Sequence, residues 1–74
     1  MKLMLFPDPW EYPGSPLMMG DKGPLVKEIQ IAVNVLADGV FGEHTFRAVR
    51  SHQRMLRIED DGVVGPVTWD AFFD

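Results

Sequence analysis

Apolar residues after position 23 recur with the spacing of an α-helix. Gly23 followed by Pro24 is typical of a helix start, so we predict a first helix over residues 24–36. Its predicted core face is one stripe of positions: Leu25, Val26, Ile29, Ala32, Val33 and Leu36. Ile31 and Val35 fall on the opposite side, and we expect another segment to cover this apolar pair.

Two further helices follow from the same spacing. We predict a second helix from 43 to about 56 or 57 and a short third helix over 66–73. The third helix inserts Trp69 and Phe72 into the core, with Phe73 as a further candidate. The buried side of the second helix is centred on Thr45, Val49, His52 and Leu56, flanked by Ala48 and Gln53.

A twelve-residue segment occurs twice. Asp38–Val49 returns 23 positions later as Asp61–Phe72, with the Asp, both Gly, Val, Thr and Ala positions preserved. Paired glycines suit a tight turn, and the aspartate can accept hydrogen bonds from nearby backbone N–H groups. We therefore predict two Asp-Gly-x-x-Gly turns, each of which begins a helix. Direct ligand contact by Asp38 or Asp61 is the alternative to this structural role.

Two glutamines and two histidines are the other polar residues of interest. Gln30 and Gln53 occupy equivalent places at the edges of the helical core faces, where an amide usually binds a neighbouring loop; sugar recognition is the alternative. We interpret His52 as a hydrogen-bonded core histidine rather than a ligand. His44 and His52 lie eight positions apart, so they cannot share one metal ion by themselves.

Residues 1–16 differ in character from the rest of the chain. They contain Pro7, Pro9, Pro13 and Pro16, which disfavour a regular helix and favour an extended arm. We predict two parts, an arm over 1–16 and a compact domain over 17–74. The fold class is all-α, a three-helix bundle with two glycine turns.

Three segments of the domain carry a family pattern. Residues 17–30 read Leu-x-x-Gly-x-x-Gly-x-x-Val-x-x-Ile-Gln, residues 38–53 read Asp-Gly-x-Phe-Gly-x-x-Thr-x-x-Ala-Val-x-x-His-Gln, and residues 61–69 read Asp-Gly-Val-Val-Gly-Pro-x-Thr-Trp. Together they resemble the small three-helix type of peptidoglycan-binding domain. Two features depart from that pattern: His52 stands where Phe is usual, and the loop before Asp38 is short.

The resemblance implies a function. Domains of this type are appended to bacterial and phage cell-wall hydrolases, and a related module forms the prodomain of matrix metalloproteinases. The resemblance therefore implies a non-catalytic module that binds peptidoglycan glycan or stem peptide, with no cofactor.

Length and composition set limits that agree with this reading. A chain of 74 residues buries only about 60% of its unfolded surface, so its stability is small and every apolar face is needed. Catalytic domains are rarely as short as this chain. There is no cysteine, no apolar run of bilayer length, and no acid pair or nucleophile with a base beside it. We expect no catalytic residues, no metal site and no membrane partner. The apolar stretch after Met1 is too short for a conventional secretion signal.

The candidate binding residues are cationic and aromatic. Arg47, Arg50, Arg54 and Arg57 fall in one quadrant of the second helix, although the net charge is −4. This stripe is either a solvated face or a surface for an anionic partner, and nucleic acid fits poorly because the whole chain is acidic. We assign Arg47, Arg50 and Arg54 to wall carboxylates or phosphates.

The aromatic candidates lie in the arm. Trp10 and Tyr12 are assigned to saccharide stacking, with packing over Ile31 and Val35 as the alternative.

A second functional hypothesis uses the same fold. The chain could be a small phage protein that docks on a virion, or on a catalytic domain, through residues 1–12. We expect it at the bacterial cell wall or on a virion rather than as a resident of the cytoplasm.

Overall fold

Three helices make up the regular structure of the computed structural model, which describes residues 12–73. They are α1, Pro24–Ala32; α2, Glu43–Met55; and α3, Pro66–Phe73. The prediction of an all-α fold is confirmed, and the bounds predicted for the third helix are the observed ones. None of the described helices is long and apolar enough to cross a membrane.

The first helix is shorter than predicted. It ends at Ala32 because Asn34 adopts a left-handed conformation with φ of 62°. The N–H of Asn34 donates to the carbonyl of Ile31 at 3.1 Å, and the N–H of Val35 donates to that of Gln30 at 3.0 Å. This pair of bonds closes the helix in a Schellman motif.

The early end of α1 changes which apolar residues are buried. Leu36 is 81% exposed and Leu25 is 36% exposed, so their predicted places in the core are wrong. Val35 packs against the core instead of lying opposite to it, because it follows the left-handed turn. Ile31 is 63% exposed among the described residues.

The second helix ends in the same way, 23 positions later. Arg57 takes the left-handed conformation with φ of 59°, and the N–H of Ile58 donates to the carbonyl of Gln53 at 3.0 Å. Leu56, predicted to be buried, is 46% exposed, whereas Gln53 is fully buried. The repeat therefore includes the helix ends as well as the turns that follow them.

The core lies between the helices and the two turns. Trp69 of α3 is fully buried. The centroid of its ring lies 4.4 Å from that of Phe73 and 6.2 Å from that of Tyr12. Phe72 packs at the edge of this core as predicted. The buried apolar residues are Val26, Ile29, Val33, Phe41, Val49, Val64 and Trp69.

The segment 17–23 ties the two turns together. Leu17 and Val64 exchange both backbone hydrogen bonds, at 3.1 and 2.8 Å. Nearby, the N–H of Phe41 donates to the carbonyl of Asp21 at 2.9 Å. Because one short segment binds both turns, each is held in a fixed position relative to the other.

Candidate functional site

The side-chain amide of Gln30 organises the first turn from within the core. Its Nε2 lies 2.8 Å from Asp38 Oδ1, 3.0 Å from the Val40 carbonyl and 2.9 Å from Thr45 Oγ1. Its Oε1 accepts the N–H of Gly39 at 2.9 Å. The N–H of Val40 also donates to Asp38 Oδ1, and this bond, followed by that from Gln30, lowers the pKa of the Asp38 carboxyl.

Gln53 repeats this arrangement in the second turn. Its Nε2 lies 3.3 Å from Asp61 Oδ1, 3.0 Å from the Val63 carbonyl and 3.0 Å from Thr68 Oγ1. Its Oε1 accepts the N–H of Gly62 at 2.9 Å. All five residues stand 23 positions after their counterparts, so the two turns are copies in their hydrogen bonding as well as in sequence.

These contacts decide the role of the glutamines. The prediction that each amide binds a neighbouring loop is confirmed, but their placement at the edge of the core is wrong, since Gln30 and Gln53 are 1% and 0% exposed. Among the described residues no buried side-chain nitrogen or oxygen lacks a hydrogen-bond partner. The amides are therefore fully used inside the fold and are not available to a ligand.

A groove lies outside the first turn, and we call it the Asp38 groove. Its volume is about 370 Å³. It is walled by the end of α1, the turn and the start of α2. The lining residues are Gln30, Val35, Leu36, Asp38, Val40, Gly42, Glu43, His44 and Thr45.

A second groove, the Asp61 groove, lies outside the second turn with a volume of about 420 Å³. Each of its lining residues stands 23 positions after one that lines the Asp38 groove. Sequence reasoning missed both grooves, although the repeat held the signal for two equivalent surfaces. The lining residues are Ile58, Glu59, Asp61, Val63, Gly65, Pro66, Val67 and Thr68.

The predicted arginine site lies on α2, away from the buried amides. Arg47 Nη2 donates to Glu43 Oε1 at 2.7 Å, in an exposed pair one turn apart. Such a pair contributes about 0.3–0.5 kcal/mol, so it does not prevent Arg47 from exchanging partners.

The next two arginines converge on one carboxylate. Arg54 places Nε and Nη2 at 3.1 and 2.9 Å from Asp60 Oδ2, which lowers the pKa of the Asp60 carboxyl. Arg50 donates from Nε to the Asp60 carbonyl at 3.0 Å, and its Cζ lies 5.8 Å from the centre of the Phe46 ring. The structure thus brings Arg50 and Arg54 together, but around an acceptor within the chain.

Of the two aromatic candidates, only Tyr12 lies within the described residues. Tyr12 is half-buried and packs edge-on against Trp69 rather than over Ile31. Trp10 lies outside the described residues. Contact of Tyr12 or Trp10 with a saccharide stays a prediction.

The two histidines have different surroundings. His52 Nδ1 lies 3.1 Å from the Ala48 carbonyl, and its ring meets that of Phe72 edge-on, so it is a hydrogen-bonded structural residue. His44 is exposed at the rim of the Asp38 groove. The described residues contain no group of three or more His, Cys, Asp or Glu side chains arranged to hold a metal ion.

Three short helices, two pinned turns and two open grooves define a small all-α binding module. The chain belongs to the family described as "Putative peptidoglycan binding domain", whose model matches residues 22–72. This match agrees with the fold and with the family pattern in the three segments of the sequence.

Several solved structures share this fold. A peptidoglycan-binding protein from Clostridioides difficile, in complex with glutamine hydroxamate, is 34% identical with a TM-score of 0.77, over 81% of this chain and 41% of that one. The SleB N-terminal domain is 26% identical with a TM-score of 0.79, over 84% of this chain and 93% of that one. A fused zinc-dependent amidase/peptidase/peptidoglycan-binding domain-containing protein from Clostridium acetobutylicum is 33% identical with a TM-score of 0.78. The match covers 82% of this chain and 30% of that one.

Curated proteins also include a relative that is similar in sequence. An uncharacterized protein in the bpoA1 3' region of Kitasatospora aureofaciens is 40% identical over a 60-position alignment that covers 72% of this chain and 51% of that protein. The chain thus spans about half the length of this relative.

Proposed function

We propose that this chain is a non-catalytic module that binds peptidoglycan and holds a lytic enzyme or a phage component close to it. The observation that carries the proposal is the family match over residues 22–72. It is supported by the similarity to 30% of a longer protein whose description joins an amidase/peptidase to a peptidoglycan-binding domain.

The proposed mechanism is retention by proximity. A polymer offers many identical sites, so a module with weak contacts still raises the local concentration of whatever it is joined to. No bond is made or broken by the module, and the pinned turns keep its surface rigid, which limits the entropy lost on binding.

The arginine stripe of α2 is one candidate contact surface. An Arg guanidinium has five N–H donors, and the described bonds of Arg47 and Arg54 use only one or two of them. Both side chains are well exposed, at 74% and 66%. Wall carboxylates or phosphates can therefore share or replace Glu43 and Asp60 as partners.

A charge-reversal pair tests this surface. Arg47→Glu with Arg54→Glu and Lys22→Glu with Lys27→Glu each change the net charge by the same four units, so non-specific repulsion is matched. If the stripe binds the wall, only the arginine pair lowers the fraction of protein that sediments with insoluble peptidoglycan. Equal losses would show that bulk charge alone is involved.

The targeting role is tested by fusion. Joining the chain to the catalytic domain of a wall hydrolase is expected to lower the enzyme concentration needed for half-maximal clearing of a wall suspension. The control is the same fusion carrying Trp69→Ala, which we expect to unfold the module because this indole is fully buried. Equal clearing by both fusions would contradict the proposed role.

Docking on a phage particle through residues 1–12 is the second hypothesis. Residues 1–11 lie outside the described part of the chain, so this hypothesis stays a prediction. Retention of the chain by purified virions, but not by peptidoglycan, would favour it.

A further inference from the structure

We propose that the Asp61 groove binds the protonated side-chain amine of a diamino acid in the stem peptide of the wall, and that the Asp38 groove is its weaker duplicate. The inference rests on the proposed function and adds to it the chemical group that is recognised. It places recognition of this amine on the turns, in addition to the arginine stripe, which remains the candidate surface for wall anions.

The apolar side chains that line each groove suit an aliphatic chain. Val67 of the Asp61 groove is 66% exposed, and Ile58 and Val63 beside it are half-buried. In the Asp38 groove, Val40 is 46% exposed and Leu36 is 81% exposed. Apolar groups exposed within a concave surface favour a ligand with methylene groups, which the groove removes from water.

The rim of each groove supplies negative charge. The described hydrogen bonds to Asp61 both end on Oδ1, as do those to Asp38, so Oδ2 of each carboxylate is open to a ligand. Glu59 lines the Asp61 groove as well and forms no ion pair among the described residues. Two carboxylates beside apolar side chains complement an ammonium group on an aliphatic stem.

The two grooves differ in ways that predict their order of affinity. No Lys, Arg or His is among the described residues that line the Asp61 groove. The Asp38 groove instead has Leu36 where the other has Glu59, and His44 where the other has Val67. Its second carboxylate, Glu43, already binds Arg47. The Asp61 groove therefore has more unpaired negative charge for a cation.

The stem peptide of the wall offers a group with this chemistry. A diamino acid in a stem peptide presents a primary amine on a short aliphatic chain, whereas the glycan presents hydroxyls and acetamides. The same peptide also carries carboxylates, which the groove would repel, so the amine must be the end that enters. Charge complementarity thus selects the amine of the peptide over the sugar.

The test is a titration of the isotope-labelled full chain, followed by amide NMR shifts. The probe is a stem tetrapeptide whose third residue is lysine, and the matched control is the same peptide acetylated on the lysine Nζ. We expect the free amine to shift the amides of residues 58–68, and less strongly those of 35–45. Acetylation should weaken binding about 1.5- to fivefold, as expected for loss of an ion pair near the surface.

Reciprocal variants of the two grooves sharpen the test. Glu59→Leu makes the Asp61 groove resemble the Asp38 groove, and Leu36→Glu makes the opposite change. Neither residue takes part in the pinned turns, so both variants should keep the fold, which far-UV circular dichroism checks. We expect about two- to fivefold weaker binding in the first groove and about the same gain in the second.

Each outcome decides between the surfaces. Shifts confined to the arginine stripe of α2, or equal binding of the acetylated peptide, would overturn the groove assignment while leaving wall binding in place. No shift with any peptide, together with normal sedimentation on the wall polymer, would overturn it as well. Failure of the chain to sediment with the polymer would instead contradict the proposed function.

Discussion

Gly62 is the position at which the account of the turns can be tested most sharply. Its φ is 75°, a left-handed value that costs a residue with a side chain about 1–2 kcal/mol. A Cβ there would also overlap the ring of Phe46, at 3.0 Å from Cζ and closer still to Cδ1 and Cε1. Phe46 packs against the core, so forcing it aside should add about 1–3 kcal/mol.

Gly39 is the matched control, since it stands 23 positions earlier with φ of 79°. A Cβ at Gly39 would meet Lys27, with Cε at 3.2 Å and Cγ at 3.4 Å, and the Gly23 carbonyl oxygen at 3.5 Å. The Lys27 side chain is flexible and can move away, and the distance to the oxygen is an ordinary van der Waals contact. Gly39→Ala should therefore cost only the backbone term, about 1–2 kcal/mol. Gly62→Ala should cost about 2–5 kcal/mol, the sum of both terms.

The assay is urea unfolding of the full chain followed by far-UV circular dichroism, with thermal melts for variants too unstable to fit. Gly62→Ala should melt about 4–24 °C below Gly39→Ala, because the extra steric cost of about 1–3 kcal/mol corresponds to about 4–8 °C per kcal/mol in a domain of this size. In a Phe46→Ala background the extra cost of Gly62→Ala should disappear, because the ring is gone. Equal costs at the two glycines, or an undiminished cost without the ring, would refute this reasoning.

Three more predictions follow from the same structure. Gln53→Met removes a buried amide that joins the turn to α2 and should lower the free energy of unfolding by about 2–4 kcal/mol. Gln30→Met should lower it by about the same amount. Urea titration checks both variants, and a loss below about 1 kcal/mol for either one would contradict equivalent roles of the two glutamines. Trp69→Phe should cost about 1–3 kcal/mol by leaving part of the core unfilled, measured by the shift in thermal midpoint, whereas an unchanged midpoint would show that the indole is not central. Acid should destabilise the fold, because Asp38 and Asp60 have pKa values in the folded protein below the 3.8 of the unfolded chain. The contribution of these carboxylates to the free energy of unfolding is present above about pH 4 and is lost as the pH falls through the folded pKa values. The double variant Asp38→Asn, Asp60→Asn should lose stability less steeply in a pH series of urea titrations, and an unchanged slope would contradict the shifts.

Helix starts could be predicted from the sequence more reliably than helix ends. Pro66 marks the start of α3, and the observed bounds agree with the prediction. For α1, Val33, Val35 and Leu36 prolong the apolar spacing beyond the observed end. The left-handed conformation at Asn34 ends the helix, and Asn at that place was the available signal.

Burial of polar groups was harder to predict. An amide lowers the apparent apolarity of a helix face, so Gln53 seemed an edge residue and Leu56 a core residue, the reverse of what is observed. Gln53 is buried because four polar groups of the turn converge on it, which the helical periodicity alone does not contain. The signal for this convergence was the 23-residue spacing between Gln30 and Gln53, which is the spacing of the two turns.

The grooves and the arginine partners depend on tertiary structure. Asp60 is six positions from Arg54 in sequence, beyond the end of the helix, so its bidentate contact arises only from the left-handed turn at Arg57. Similarly, the exposure of Leu36 beside Asp38 follows from the early end of α1. The repeat predicts two equivalent surfaces but not their concave shape.

Co-sedimentation of the purified full chain with insoluble peptidoglycan, with the supernatant assayed for released amines and reducing ends, tests the central claim most directly. We expect saturable binding to the pellet and no release of soluble fragments over the time course. A chain that stays in the supernatant at every polymer concentration, or one that releases fragments from the wall, would contradict it.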